Sequence, residues 1–428
     1  MKKMFFFALA AAGMLTACSN DDTLGGNGEQ NVSEQQIRLG VASSKVQTRG
    51  TGTVGGTTDD ENKWAGQTLW VYMLQKGSMD LALYKSPAAG AAAAATTEVF
   101  NNKEFKAPNT ADNTKSGLAT TADGTIAYYP VSGNYDFWGY RVDNAVVGTP
   151  DVKTVNDNGD EVAADQATKR VVAIEIDGSQ DIMAGKAVPS NDEVTALGNY
   201  AENFYSAYAA RKGVQPNITF EHLLTRFTFE VRAGSKATAG LPAGGNTDAV
   251  KVTGVSVDSK TTGTLTVAYT GATKEAADLL TFTGDASALT LKQRDAAVAD
   301  NNAELVGLVP VSLTWTDDAA TIGDVLKVGE ALLVAPGETE YPLTISLSQD
   351  VLKKAGEAKV TMPLEQKATI KMDGGQKFEP GKSYKVTITV YGLEDIRVTA
   401  TLVPWVDGGS IDIDDDRNPN EGTYTPAP

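Results

Sequence analysis

Few side chains in this 428-residue chain could do chemistry, and the first is its only cysteine, Cys18. It closes the run Leu15-Thr16-Ala17-Cys18, where small residues lead up to a thiol that can carry a thioether-linked lipid. Acyl chains there, palmitate among them, would hold the chain on a membrane at about 0.8 kcal/mol per buried methylene. The second is Arg49, followed by Gly50, in the Gly/Thr-rich stretch Gln47-Thr48-Arg49-Gly50-Thr51-Gly52. Such stretches lie exposed and are where proteases nick a chain, so the pair marks a site for an arginine-specific protease. The third is the one histidine, His222, set between Phe220 and Leu224 on an alternating apolar pattern. It is expected to be a hydrogen-bonded core residue, because no serine or acidic partner can be picked out near it in the sequence. With no P-loop and no zinc spacing, neither cofactor nor metal is expected, and the chain does not read as an enzyme. Carboxylates are abundant, but an acid pair for glycoside hydrolysis is defined by spatial separation, which counting cannot supply. Asp412, Asp414, Asp415 and Asp416 lack the glycine and glutamate spacing of a calcium loop and read as a solvated tail.

The elements around these residues divide the chain. Lys2 and Lys3 precede an apolar run over residues 4–15, too short for a permanent membrane span and of the length of a removable signal peptide. Residues 1–18 are therefore excluded from the fold. Residues 19–49 are a propeptide: a polar tether too poor in apolar groups to order itself, then a short strand. Ser19-Asn20-Asp21-Asp22 reads either as the start of that tether or as an acidic signal routing a lipoprotein to the cell surface. In the strand Ile37, Leu39 and Val41 recur every second residue, the period that puts side chains on one face. The net charge of −17 argues against nucleic-acid binding, which needs a basic face.

From Trp64 onward, short runs rich in Val, Ile, Thr, Tyr and Phe alternate with Gly, Asn, Asp and Pro clusters, the pattern of an antiparallel sandwich. Helical patterns are few, one over residues 200–210 and another over 274–280, and the alanine run 88–95 reads as a surface insertion. Apolar residues fall on even positions through Phe220, His222 and Leu224 and on odd ones from Phe227; that phase change predicts a bend between Leu224 and Phe227. Length predicts two domains. They are placed at residues 50–235 and 236–405, with 406–428 as a tail. Two amphipathic strands close the second, the last carrying Ile396, Val398, Ala400 and Leu402 on one face, and Ile411 and Ile413 follow among aspartates. Trp64, Trp70, Trp138, Trp315 and Trp405 could stack on sugars but, at strand positions, read as core.

Taken together, the lipobox, Thr48-Arg49, Phe220-Glu221-His222-Leu223-Leu224, Ile126-Ala127-Tyr128-Tyr129-Pro130 leading to Phe137-Trp138-Gly139-Tyr140, and the ending Pro380-Gly381-Lys382-Ser383-Tyr384 through Pro404-Trp405 resemble the fimbrillins, the type V pilins. The resemblance implies an all-β fold of two tandem transthyretin-like sandwiches with few short helices. It also implies export as an outer-membrane lipoprotein and cleavage after Arg49, which frees the first strand. A groove opened by loss of Ile37, Leu39 and Val41 would take a strand from another copy or a related pilin. The amphipathic C-terminal residues 396–413 are the expected donor, and a stalk subunit the expected role. The alternative reading is a monomeric surface lipoprotein that binds glycan or host protein.

Overall fold

The computed structural model describes residues 35–43, 67–85, 96–106, 119–120, 127–199, 204–234, 250–272, 274–295, 304–315, 321–351, 358, 360–372, 374–391, 396–403 and 410–411. They form an all-β protein with three short α-helices among the described residues. The first sheet has eight strands, in the order β23 (Ser410–Ile411), β1 (Gly40–Ser43), β11 (Asn217–His222), β10 (Met183–Ala187), β7 (Tyr135–Arg141), β2 (Thr68–Gln75), β5 (Lys103–Lys106) and β6 (Ala119–Thr120). A four-stranded sheet runs β18 (Leu326–Val334), β12 (Thr225–Ala233), β21 (Ser383–Val390), β22 (Ile396–Val403). A third sheet runs β20 (Val360–Lys371), β19 (Glu340–Val351), β13 (Lys251–Tyr269), β9 (Lys169–Glu175), β8 (Val152–Val155), with β14 (Leu280–Thr290) and β17 (Val311–Ser312) also on β13. Two small ribbons pair β15 (Lys292–Arg294) with β16 (Leu305–Gly307) and β3 (Leu83–Lys85) with β4 (Thr96–Glu98).

Side-chain period explains which face each strand buries. In β12, Phe227, Phe229, Val231 and Ala233 are buried while Arg226, Thr228, Glu230 and Arg232 are half-exposed, the alternation of a sheet packed on one side. β11 buries Ile218, Phe220 and His222. Between them Leu223 and Leu224 are both fully buried, and there the chain leaves the first sheet for the second, ahead of the bend expected between Leu224 and Phe227, since β12 already runs from Thr225. β2 is buried on both faces: Leu69, Val71 and Met73 enter one apolar cluster, Tyr72 and Leu74 the other. The first sheet thus carries a core on each side. Gly139 and Gly185 lie opposite each other in β7 and β10. A Cβ on Gly139 would come within 2.7 Å of Phe220 Cζ, so the bare backbone leaves that ring its space.

Two pairings, β1 with β11 and β12 with β21, are parallel, which an antiparallel pattern does not anticipate. The helices are α1 (Asn191–Leu197), α2 (Ala207–Arg211) and α3 (Ala276–Leu279). Ser190 and Glu193 form a reciprocal cap that starts α1, which fixes two otherwise orphaned N–H groups. Helical structure expected over residues 200–210 is confined, among the described residues, to α2. The expected domain boundary at residue 235 falls outside the described residues. On either side of it β9 pairs with β13, and β12 with β18 and β21.

Candidate functional site: the first strand and its groove

The segment 35–43 is stitched into the first sheet along its length. Tyr129 N donates to Gln35 O at 2.8 Å, Ile37 N to Ala127 O at 2.8 Å, and Gly40 N to Pro216 O at 3.0 Å. Arg38 N donates to Gln215 Oε1 at 3.2 Å, while Gln215 Nε2 reaches back to Gln36 O at 3.3 Å. Four residues of β1 then run parallel to β11, from Gly40 opposite Asn217 to Ser43 opposite Phe220. On the other side Val41 faces Ile411 of β23 in antiparallel register.

The apolar face of this strand fills a core. Ile37, Leu39 and Val41 are 6 %, 3 % and 0 % exposed and lie in one cluster with Phe105, Tyr129, Phe137, Ile218 and Phe220. At about 1.5–3 kcal/mol per buried side chain, the three contribute roughly 5–9 kcal/mol. That is comparable with the whole folding stability of an ordinary domain, about 5–15 kcal/mol. Removing the segment would uncover this cluster and leave the β11 edge without its partner.

Other residues singled out in the sequence fall in different places. Ile396, Val398 and Ala400 lie half-buried on the larger core, within β22, which pairs over eight residues with β21; Leu402 is exposed. Of the expected donor residues, Ile411 is the one set beside Val41. Cys18, Arg49, Gly50 and Ile413 lie outside the described residues, as do Trp64 and Trp405. Trp138 is buried, and Trp70 and Trp315 pack against the same core.

His222 is a hydrogen-bonded core residue, and it has the acidic partner that sequence reading could not find. Its Nδ1 is 2.9 Å from Asp181 Oδ1. Arg141 donates through Nη1 to the Asp181 carbonyl at 3.1 Å, sits 2.9 Å from Asp143, and donates through Nε and Nη2 to Gln67 Oε1 at 3.1 and 2.7 Å. Burial by itself would push Asp181 up, but the His222 ring and the Arg141 and Arg226 guanidiniums hold its carboxyl below its ordinary value. For Asp143 burial prevails over Arg141 and the carboxyl is pushed up. His222, Asp181 and Arg141 are each no more than 5 % exposed, so no substrate reaches them. They tie together the ends of β7, β10 and β11. The separation of 41 positions between Asp181 and His222 explains why no local motif showed the pair.

The fimbrillin-like family model matches residues 57–405. The chain belongs to the fimbrillin-like family, whose members are non-enzymatic pilus and adhesin subunits of the cell surface and associate with other fimbrial subunits. Among solved structures it is similar to a "putative cell adhesion protein" of Bacteroides uniformis ATCC 8492, at 16 % identity and a TM-score of 0.40, over 86 % of this chain and 98 % of that one. A "putative cell adhesion protein" of Bacteroides eggerthii DSM 20697 follows at 14 % identity and a TM-score of 0.35, over 88 % and 98 %. The fimbrial anchor protein Mfa2 of Porphyromonas gingivalis gives 9 % identity and a TM-score of 0.30, over 88 % and 99 %. No curated protein sequence matches the chain.

Proposed function

We propose that this fimbrillin-like protein is a stalk subunit that polymerises by strand exchange once its first strand has been cut away. The observation that carries the reading is the burial of Ile37, Leu39 and Val41 in one core cluster, with Val41 set between β11 and β23, on a segment that ends ahead of Arg49. In this scheme residues 1–18 direct export, lipid on Cys18 holds the precursor at the outer membrane, and an arginine-specific protease cuts between Arg49 and Gly50. Loss of the strand leaves an apolar groove and a row of backbone groups on β11 in need of a partner. A strand from another copy, or from a related pilin, supplies both by strand addition. Donor and acceptor are different surfaces, so the contact is head-to-tail and grows a filament instead of closing a dimer.

The body that remains comprises two transthyretin-like modules, residues 50–235 and 236–405, with 406–428 as the tail that donates. Among the candidate donors Ile411 and Ile413 are favoured over Ile396, Val398, Ala400 and Leu402, because β22 is already committed to β21. A cut subunit with such a tail fits a stalk better than an uncut anchor. The test is electron microscopy of protein recovered from cells carrying Arg49→Ala or truncated after Trp405. Both should stay monomeric and folded, the first still acylated on Cys18. Filaments of normal length from either variant overturn the scheme.

A further inference from the structure

A cavity of about 310 Å³ opens on the face of the first sheet opposite the cluster that holds Ile37, Leu39 and Val41, between β10, β11 and β13 and the helix α3. That is the lower end of the size range of small-molecule sites, roughly 300–1,000 Å³. Its floor is an aromatic pair, Trp138 and Tyr269, with ring centroids 4.5 Å apart. Lys186 Nζ stands 4.6 Å from the Trp138 ring centre and Lys274 Nζ 5.5 Å from that of Tyr269. Both lysines line the cavity, with Thr219 and Glu221. Tyr269 Oη accepts from Lys274 N at 2.8 Å, which leaves its own proton for a further acceptor.

Charge narrows what such a cavity can hold. An anion would meet Glu221, whose carboxyl burial already pushes up and which the Glu275 carboxylate pushes further. A cation would meet the Lys274 ammonium and that of Lys186, which is already paired with Asp136 at 3.0 Å. An apolar guest would strip water from Glu221 and Thr219 and return no hydrogen bond, at about 1–3 kcal/mol for each group left unsatisfied. A neutral molecule with a ring of hydroxyls and an apolar flank meets every requirement. Its hydroxyls donate to Glu221 and accept from Lys274 and Tyr269, while its C–H face lies along Val188, the exposed apolar residue of the lining; Trp138 and Tyr269, 4 % and 8 % exposed, back the site from within the core.

We propose that the cavity lined by Trp138, Tyr269, Glu221, Lys186, Lys274 and Thr219 binds one neutral sugar ring. The site lies away from the β1 groove, so the proposal does not depend on strand exchange. The test is titration calorimetry of the full chain with methyl galactoside, methyl mannoside and N-acetylglucosamine, alongside glucuronate and glucosamine as charged controls. At least one neutral ring should bind saturably. Glu221→Ala and Lys274→Ala should each weaken it about tenfold at unchanged melting temperature, while Glu365→Ala, on the exposed face of β20, should leave it unaltered. A glycan array separates the sources: binding of the same ring as a terminal residue identifies a glycan, and binding of the free ring alone a soluble sugar. No saturable binding of any neutral ring, a preference for a charged control, or full affinity in both cavity variants would overturn the proposal.

Discussion

Leu39→Ala, made in an Arg49→Ala chain that keeps its first strand, measures how much of the fold β1 supports. Leu39 is 3 % exposed and sits between Ile37 and Val41 in the apolar cluster under the first sheet. Truncating a buried leucine to alanine costs about 2–5 kcal/mol, the transfer of the lost atoms plus the cavity left behind. Leu39 lies just ahead of β1, in a stretch held by Ile37 N to Ala127 O and Gly40 N to Pro216 O instead of by two full strands, so part of the cavity can collapse and about 3 kcal/mol is expected. In urea, at a slope of about 1–3 kcal/mol per molar, the midpoint should fall by about 1–3 M. The assay is equilibrium unfolding followed by tryptophan fluorescence, with Leu343→Ala in the other core as reference; Leu343 is fully buried. A loss below about 0.5 kcal/mol at Leu39, beside a loss of several at Leu343, would show that β1 is an ornament on the sheet. The claim that its removal creates a receptor would then fail.

Three further outcomes are expected. Asp181→Asn should cost about 3–5 kcal/mol by removing the buried carboxylate that faces His222, while Arg141 keeps Asp143 at 2.9 Å. Asp181 is held below its ordinary value, so its stabilisation is complete above about pH 4 and is lost as pH falls through the depressed folded value. The variant should therefore show a flatter acid limb in a plot of melting temperature against pH, and an unchanged limb would refute the assignment. Gly185→Ala would place a Cβ 1.9 Å from the Thr219 carbonyl oxygen; since backbone must move, about 3 kcal/mol or more is expected, read as loss of soluble folded protein. Deleting residues 410–428 should leave the melting temperature of the uncut chain nearly unchanged, because β23 meets β1 over two residues only, while abolishing filaments after cleavage.

What could be read ahead of the structure was the part governed by local periodicity. β12, β21 and the 37–41 segment each show a period of two, and each buries the side that the period selects. The apolar runs around Val252 and Val267 belong to one strand, β13, of 19 residues. Gly263 lies inside it because a Cβ there would come within 2.8 Å of the Thr281 carbonyl oxygen on β14: the glycine permits a close approach, not a turn. Of the helical pattern over residues 200–210, the described part becomes helical at α2, behind the Ser206 cap, while 204–206 are not helical. The Asp181–His222 contact and the parallel partner of β1 depend on which strands become neighbours, a property of the closed sheet that no window of sequence carries. α1 was an avoidable miss, for Ser190 and Glu193 have the spacing of a reciprocal cap.

The C-terminal residues show why a sequence pattern alone could not separate donor from scaffold. Residues 396–402 and 411–413 both alternate, and either could fill a groove shaped for Ile37, Leu39 and Val41. In the folded chain the first set is spent: β22 makes eight paired positions with β21 and rests Ile396, Val398 and Ala400 on the core. Releasing it would strip an entire edge from the four-stranded sheet, a loss that donation to a neighbour would at best restore. Among the described residues β23 pairs with β1 alone, over two residues, and cutting away β1 would end that pairing. One cleavage would then open the groove and free the strand suited to fill it in the next copy. Substituting Ile411 and Ile413 together by Asp should block polymerisation of cut protein while leaving its unfolding midpoint in place; equal filament yield would return the donor role to β22.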